Sequence, residues 1–254
     1  MTNKRGQITL FIIVSVVIVA LIIFAFILVP RLFPKKMNET KIIDPKTFIG
    51  DCTNSELRPL VETLASQGGY FDPAPFFLFA NNKVQFLCYA ENGICINQKP
   101  LLKEDIENQL NQKIRSYCFF CINNFVIKNQ KVGNSVRNCR EAELRINVTL
   151  EPSKVSWNLI CPLTIQTKDG QIINLKEISY YLESPLYEQV ILAKDIVNAE
   201  IEGNDLEFIM EYLQNNPNVM ITRNYRGMNG EIKIYNITIQ GTQFLFAVKN
   251  TIRT

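Results

Sequence analysis

Residues 142–165 read AELRINVTLEPSKVSWNLICPLTI. Ala142, Leu144, Ile146, Val148 and Leu150 alternate with Glu143, Arg145, Asn147 and Thr149, the period of a strand with one buried and one wet face. Glu151-Pro152-Ser153 supplies a turn, after which Val155, Trp157, Leu159, Cys161, Leu163 and Ile165 resume the same period. The stretch therefore predicts an antiparallel hairpin with Cys161 on its inner face. Lys168-Asp169-Gly170-Gln171 turns the chain again and predicts a third strand over 172–181.

Working toward the carboxyl terminus, Ser184-Pro185 has the form of an N-cap followed by a first helical residue, for a helix to about Ala199. Asn204 is placed to cap a second helix over 205–213, closed by Asn215-Asn216-Pro217-Asn218, and strands follow near 219–225, 231–240 and 243–249. Toward the amino terminus, Thr53-Asn54-Ser55-Glu56 has capping-box spacing. Leu57, Leu60, Val61, Leu64 and Ala65 follow at helical intervals, with Pro59 near the start and Gly68-Gly69 as a stop. The stretch 70–79 is too rich in aromatics and proline for a regular element and is expected to pack under a sheet rather than form an exposed ligand lip.

Strands over 84–89 and 94–97 flank Ala90-Glu91-Asn92-Gly93, a hairpin turn that sets Cys88 opposite Cys95. A helix from Lys103 to about Phe125 carries Ile106, Leu110, Ile114, Tyr117, Cys118, Cys121 and Phe125 on one stripe. Helices and short-connected antiparallel strands in this order define an α+β fold rather than a parallel nucleotide-binding sheet.

The chain has 254 residues, 27 basic and 24 acidic groups and no histidine. Without imidazole, Ser-His-Asp and Cys-His pairs and histidine metal sites are excluded. The formal charge of +3 is uneven. Lys4, Arg5, Arg31, Lys35 and Lys36 lie in the first 36 residues with no acid among them, leaving 22 basic and 24 acidic groups beyond. A nucleic-acid partner loses its support once the basic excess is placed there.

Between these cations, Ile8 to Val29 runs 22 residues with only Thr9 and Ser15 as polar interruptions. As a helix it would be about 33 Å long against a bilayer core of about 30 Å. The expected organisation is a cytoplasmic leader over 1–6, a transmembrane helix over 7–29, a juxtamembrane linker over 30–50 and an extracytoplasmic α+β domain over 51–254, with a sub-boundary near 130–140. The expected location is a single-pass cell-membrane protein with its amino terminus inside, touching lipid through residues 8–29.

The string Lys4-Arg5-Gly6-Gln7-Ile8-Thr9-Leu10-Phe11 resembles the class III signal sequence of archaeal type IV pilin-like proteins, which a dedicated peptidase cuts after the glycine. The resemblance implies processing between Gly6 and Gln7, and envelope or filament protein partners. The fifth mature position, where such pilins carry Glu, is Phe11. The chain as a whole resembles membrane-anchored proteins of small-genome archaea that share this start and a Gly-Gly-Tyr element, here Gly68-Gly69-Tyr70. That likeness implies no particular activity.

Seven cysteines in a domain expected outside the membrane suggest three disulfides and one free thiol. Cys88 with Cys95 is the best local pair. Cys52 is expected to reach Cys118 or Cys121, and Cys139 with Cys161 is the residual pair. The function this implies is a disulfide-stabilised surface protein with a binding or structural role in the envelope, not an enzyme. The alternative is a tethered thiol–disulfide oxidoreductase using Cys118 and Cys121. Against it, that pair lies deep in a helix and not at an exposed helix amino terminus, where a reactive thiol belongs.

No catalytic residue, cofactor or metal site is expected: zinc would need a second close cysteine pair. Asp195, Glu200, Glu202, Asp205, Glu207 and Glu211 lack calcium-loop spacing and are expected to form a solvated face. Arg223, Tyr225 and Arg226 fit a strand-end loop as well as an anionic contact. Asn38, Asn147 and Asn236 each begin an Asn-x-Thr acceptor triplet and are the candidate glycosylation sites.

Overall fold

A computed structural model describes residues 16–19, 21–24, 43–91, 93–227 and 231–250. The chain divides into residues 1–42 and a compact unit over 43–254. In the first, residues 16–19 and 21–24 are helical and exposed. Among the described residues no helix is long and apolar enough to cross a membrane. The transmembrane helix expected over 7–29 is thereby overturned, and with it the single-pass membrane location and the inside–outside orientation. An apolar run meets a requirement of composition, whereas a span also needs about 20 consecutive helical residues. Gly6, Gln7, Asn38 and most of the stretch 7–42 lie outside the described residues.

The compact unit is α+β. Helix α1 (Pro45–Ser66) starts inside the stretch read as a linker, because Asp44 accepts from the Thr47 amide at 2.8 Å and Pro45 occupies the first turn. Thr53-Asn54-Ser55-Glu56, read as a capping box, lies within this helix, and Thr53 is fully buried. Pro59 is internal too. The helix stops at Gly68 and Gly69, both at positive φ. A side chain on Gly69 would meet Ile106 at 2.9 Å. This close approach lets the Tyr70 hydroxyl donate to Asp105, while the Gln109 side chain holds both the Phe71 amide and the Gly69 carbonyl. The Gly-Gly-Tyr element is thus a dock onto the next helix.

The remaining order is β1 (Phe76–Phe79), β2 (Asn82–Tyr89), β3 (Ile96–Asn97), α2 (Leu102–Lys131), β4 (Ser135–Arg137), β5 (Arg145–Glu151), β6 (Lys154–Gln166) and β7 (Ile172–Glu183). It ends with α3 (Leu186–Glu202), α4 (Asp205–Asn215), β8 (Val219–Arg226), β9 (Ile232–Ile239) and β10 (Thr242–Lys249). Residues 142–165 form the expected hairpin, except that Glu141–Glu143 is a turn of 3-10 helix and the first strand begins at Arg145. In β6 every second residue from Val155 to Ile165 is buried. The aromatic stretch departs from expectation, since Phe76–Phe79 pairs antiparallel with β2 as an edge strand. Tyr117, expected on the buried stripe of α2, is over a third exposed.

Two sheets result. One has the order β1-β2-β10-β9-β8 with β3 on β2; in the other, β6 pairs with β4 and β5 along one side and with β7 along the other. Among the described ladders β2–β10 is the parallel one, joining chain segments more than 150 residues apart. Helix α1 packs on β7 and β10, α2 on β5 and β4, and α3 on β10, β9 and β6. The helices therefore share one continuous core with both sheets, including Leu57, Ile106, Phe125, Trp157, Ile196 and Phe246. A smaller cluster of Val84, Phe86, Ile234, Leu245 and Ala247 is packed by Phe77 and Phe79, and Arg226 on β8 lies over the Phe79 ring.

Candidate functional site

Three groups of side chains are candidates for a site: the cysteines, a buried ionic cluster and the solvent face of the four-stranded sheet.

The structure closes three disulfides: Cys52–Cys121, Cys88–Cys95 and Cys139–Cys161. Of the two partners expected for Cys52, Cys121 is taken and Cys118 is left free and buried. Cys118 and Cys121 share the apolar stripe of α2, and the stripe meets α1 so that Cys121 faces Cys52 while Cys118 faces Thr53. The Thr53 hydroxyl and the Cys118 sulfur are 3.7 Å apart. Burial pushes the Cys118 thiol up to about 12, against a smaller opposing effect of the Thr53 contact. The Cys88–Cys95 bridge forms although the register differs from the tight hairpin expected: Cys88 stands opposite Asn97 and Tyr89 opposite Ile96.

The acidic group does not form one solvated face. Glu200 is 2% exposed and Asp205 is also buried, at the junction of α3, α4 and the strands β8 and β9. Lys233 Nζ donates to Glu200 Oε2 at 2.8 Å and to Asp205 Oδ2 at 3.3 Å. The Tyr235 hydroxyl reaches Glu200 and Asp205, Arg223 pairs with Asp205, and Asn250 Nδ2 donates to Glu200 Oε2 at 3.2 Å. Two carboxylates thus meet one ammonium and one guanidinium, so the formal charges cancel. Burial, then the Glu200 charge, pushes the Tyr235 phenol far up. Burial alone would raise the Asp205 carboxyl, but Lys233, Tyr235 and Arg223 together hold it below the usual range. The cluster is satisfied by protein partners and largely buried, which gives it the properties of a structural lock between helices and sheet. It was invisible in the sequence because Lys233 and Tyr235 lie about 30 residues beyond their acids.

On the four-stranded sheet, Asn147, Asn158 and Ser179 stand opposite one another across β5, β6 and β7, as do Thr149, Ser156 and Tyr181. Their alternates Val148, Leu150, Val155, Trp157, Leu159, Ile178 and Leu182 are buried, so these six side chains face solvent. They line a shallow depression of about 360 Å³ together with Glu151, Lys154 and Tyr180. Asn147 is exposed. Asn236, by contrast, has its carboxamide oxygen buried and without a hydrogen-bond partner among the described residues, as is the hydroxyl of Thr238 in the same triplet.

Among the described residues no group of three or more cysteine, aspartate or glutamate side chains could hold a metal ion. No protein-family model, curated protein or solved structure matches the chain.

Proposed function

We propose that this chain is a disulfide-stapled binding or structural module that performs no thiol chemistry. The observation that carries it is the partition of the cysteines. Cys121 is committed to Cys52, and the one free thiol is buried, held protonated and one helical turn away from that bridge. A dithiol enzyme needs an exposed, acidified nucleophile, and Cys118 has the opposite properties. The satisfied ionic cluster supports the same reading, since each of its charged groups is already engaged by a protein partner. The pilin-like start belongs to this proposal as a processed amino terminus, cut between Gly6 and Gln7.

The test is a thiol–disulfide exchange assay on the full chain, with insulin reduction as readout. Wild type and Cys118→Ser are expected to be equally inactive. Activity in wild type that Cys118→Ser abolishes would overturn the proposal in favour of an oxidoreductase using Cys118 and Cys121.

A further inference from the structure

We propose that the outer face of the four-stranded sheet binds a neutral oligosaccharide; this deepens the module reading above by naming its ligand class. The register sets twelve outward side chains in four rows across β5, β6 and β7. The outer rows are Arg145, Ile160 and Glu177 at one end and Glu151, Lys154 and Glu183 at the other. The two central rows, Asn147-Asn158-Ser179 and Thr149-Ser156-Tyr181, hold no charge at all.

These six residues have hydrogen-bonding capacity to spare. The Asn147 carboxamide and the Thr149 and Tyr181 hydroxyls make no hydrogen bond to a described residue. Asn158 uses only its oxygen, accepting from the Ser179 hydroxyl at 3.2 Å, so its NH2 is free to donate. The Ser156 hydroxyl donates to Glu151 at 2.9 Å and keeps its lone pairs. Carboxamides and hydroxyls offer donors and acceptors side by side, as a ring of sugar hydroxyls requires. Being uncharged, they are stripped of water at less cost than lysine or glutamate.

An apolar platform lies beside them. Tyr181 is 52% exposed; its ring stacks on Tyr180 at 6.3 Å between centroids and has the Lys154 ammonium 5.7 Å from its centre, and the ring area left open is the platform. Strands about 4.8 Å apart and alternate residues about 6.8 Å apart give the six side chains a footprint of roughly 10 by 7 Å, enough for about two sugar rings. Other ligand classes fit less well. The end rows mix both signs, which does not favour a polyanion, and Ile160 is the one aliphatic side chain among the twelve, too few for a protein interface core.

The experiment uses the full chain, with Asn147 shown by intact mass to carry no glycan, titrated calorimetrically with cellohexaose, mannohexaose and chitohexaose. One of these is expected to bind. Tyr181→Ala and Asn158→Ala are each expected to weaken it by about tenfold, equivalent to about 1.4 kcal/mol. Both side chains point to solvent, and circular dichroism checks that the variants are folded. Absence of binding at millimolar ligand, affinity unchanged in both variants, or a glycan carried on Asn147 itself would each overturn the proposal. Failure here leaves the exchange assay untouched, and activity in that assay would overturn the module reading without reference to sugars.

Discussion

Gly50 of α1 lies directly against the ring of Tyr180 on β7: a Cβ added at Gly50 would sit 2.7 Å from ring carbons. Tyr180 is fixed on its other sides, with its hydroxyl donating to Asp51 at 2.7 Å and its ring packed 5.9 Å from that of Trp157. Glycine inside a helix ordinarily costs about 1 kcal/mol relative to alanine. Here the small residue is what lets α1 reach the sheet. Gly50→Ala is therefore expected to destabilise the domain by about 1–3 kcal/mol, the cost of overpacking, in place of the usual helix gain. Urea unfolding of the single variant and of Gly50→Ala with Tyr180→Leu checks it, with part of the loss recovered in the pair.

Removing one partner from the buried ionic cluster leaves the others uncompensated. Lys233→Met is expected to cost about 3–5 kcal/mol, because Glu200 and Asp205 lose a shared cation inside the protein. Lys233→Met combined with Glu200→Gln restores the charge balance and is expected to cost clearly less than the sum of the two single variants. Denaturant midpoints of all three variants give the coupling.

Cys118 makes stability fall in alkali. An ordinary thiol titrates near 9 and the folded one near 12, so above pH 9 the unfolded chain releases a proton that the folded chain keeps. Stability is therefore complete below pH 9 and declines as the pH rises toward 12, at a limiting slope of about 1.4 kcal/mol per pH unit. Tyr235, whose phenol is also raised, adds loss of the same sign above its ordinary value of 10. Cys118→Ala is expected to show a shallower decline between pH 8 and 10 in unfolding midpoints, whatever its starting stability.

The three disulfides close loops of different lengths, with sequence separations of 69, 22 and 7 residues. The chain-entropy model gives about 4, 3 and 2 kcal/mol for them in that order. Paired alanine substitutions are expected to lower the thermal midpoint most for Cys52–Cys121, which also joins the two helices that carry the central core. An inverse order would mean that native-state geometry, and not loop closure, dominates.

Much of the fold could be read directly because its elements announce themselves locally. Val155 to Ile165 alternate with a period that only a one-sided strand explains, and Ile106, Leu110, Ile114, Cys118, Cys121 and Phe125 recur as a helix stripe and are all fully buried. Boundaries were less legible. The true start of α1 is the Asp44-Pro45 cap, while a second, equally well-formed capping signal at Thr53 lies inside the helix. Local chemistry permits both, and the burial of Ile49 and Gly50 against the core selects the earlier one.

Local sequence carries the α+β class, the wet and dry faces of β5 and β6 and the absence of histidine chemistry, and its seven cysteines suggest three pairs plus one thiol. Tertiary structure alone decided that Cys52 takes Cys121 and leaves Cys118 buried, and that β2 joins β10 in parallel. It also decided that Glu200 and Asp205 turn inward to Lys233 and that six neutral side chains line up on one face. The division has a physical cause. Periodicity and capping are energies between residues a few positions apart, whereas a disulfide partner, a buried counter-ion or a cross-strand row depends on which distant faces meet when the core closes.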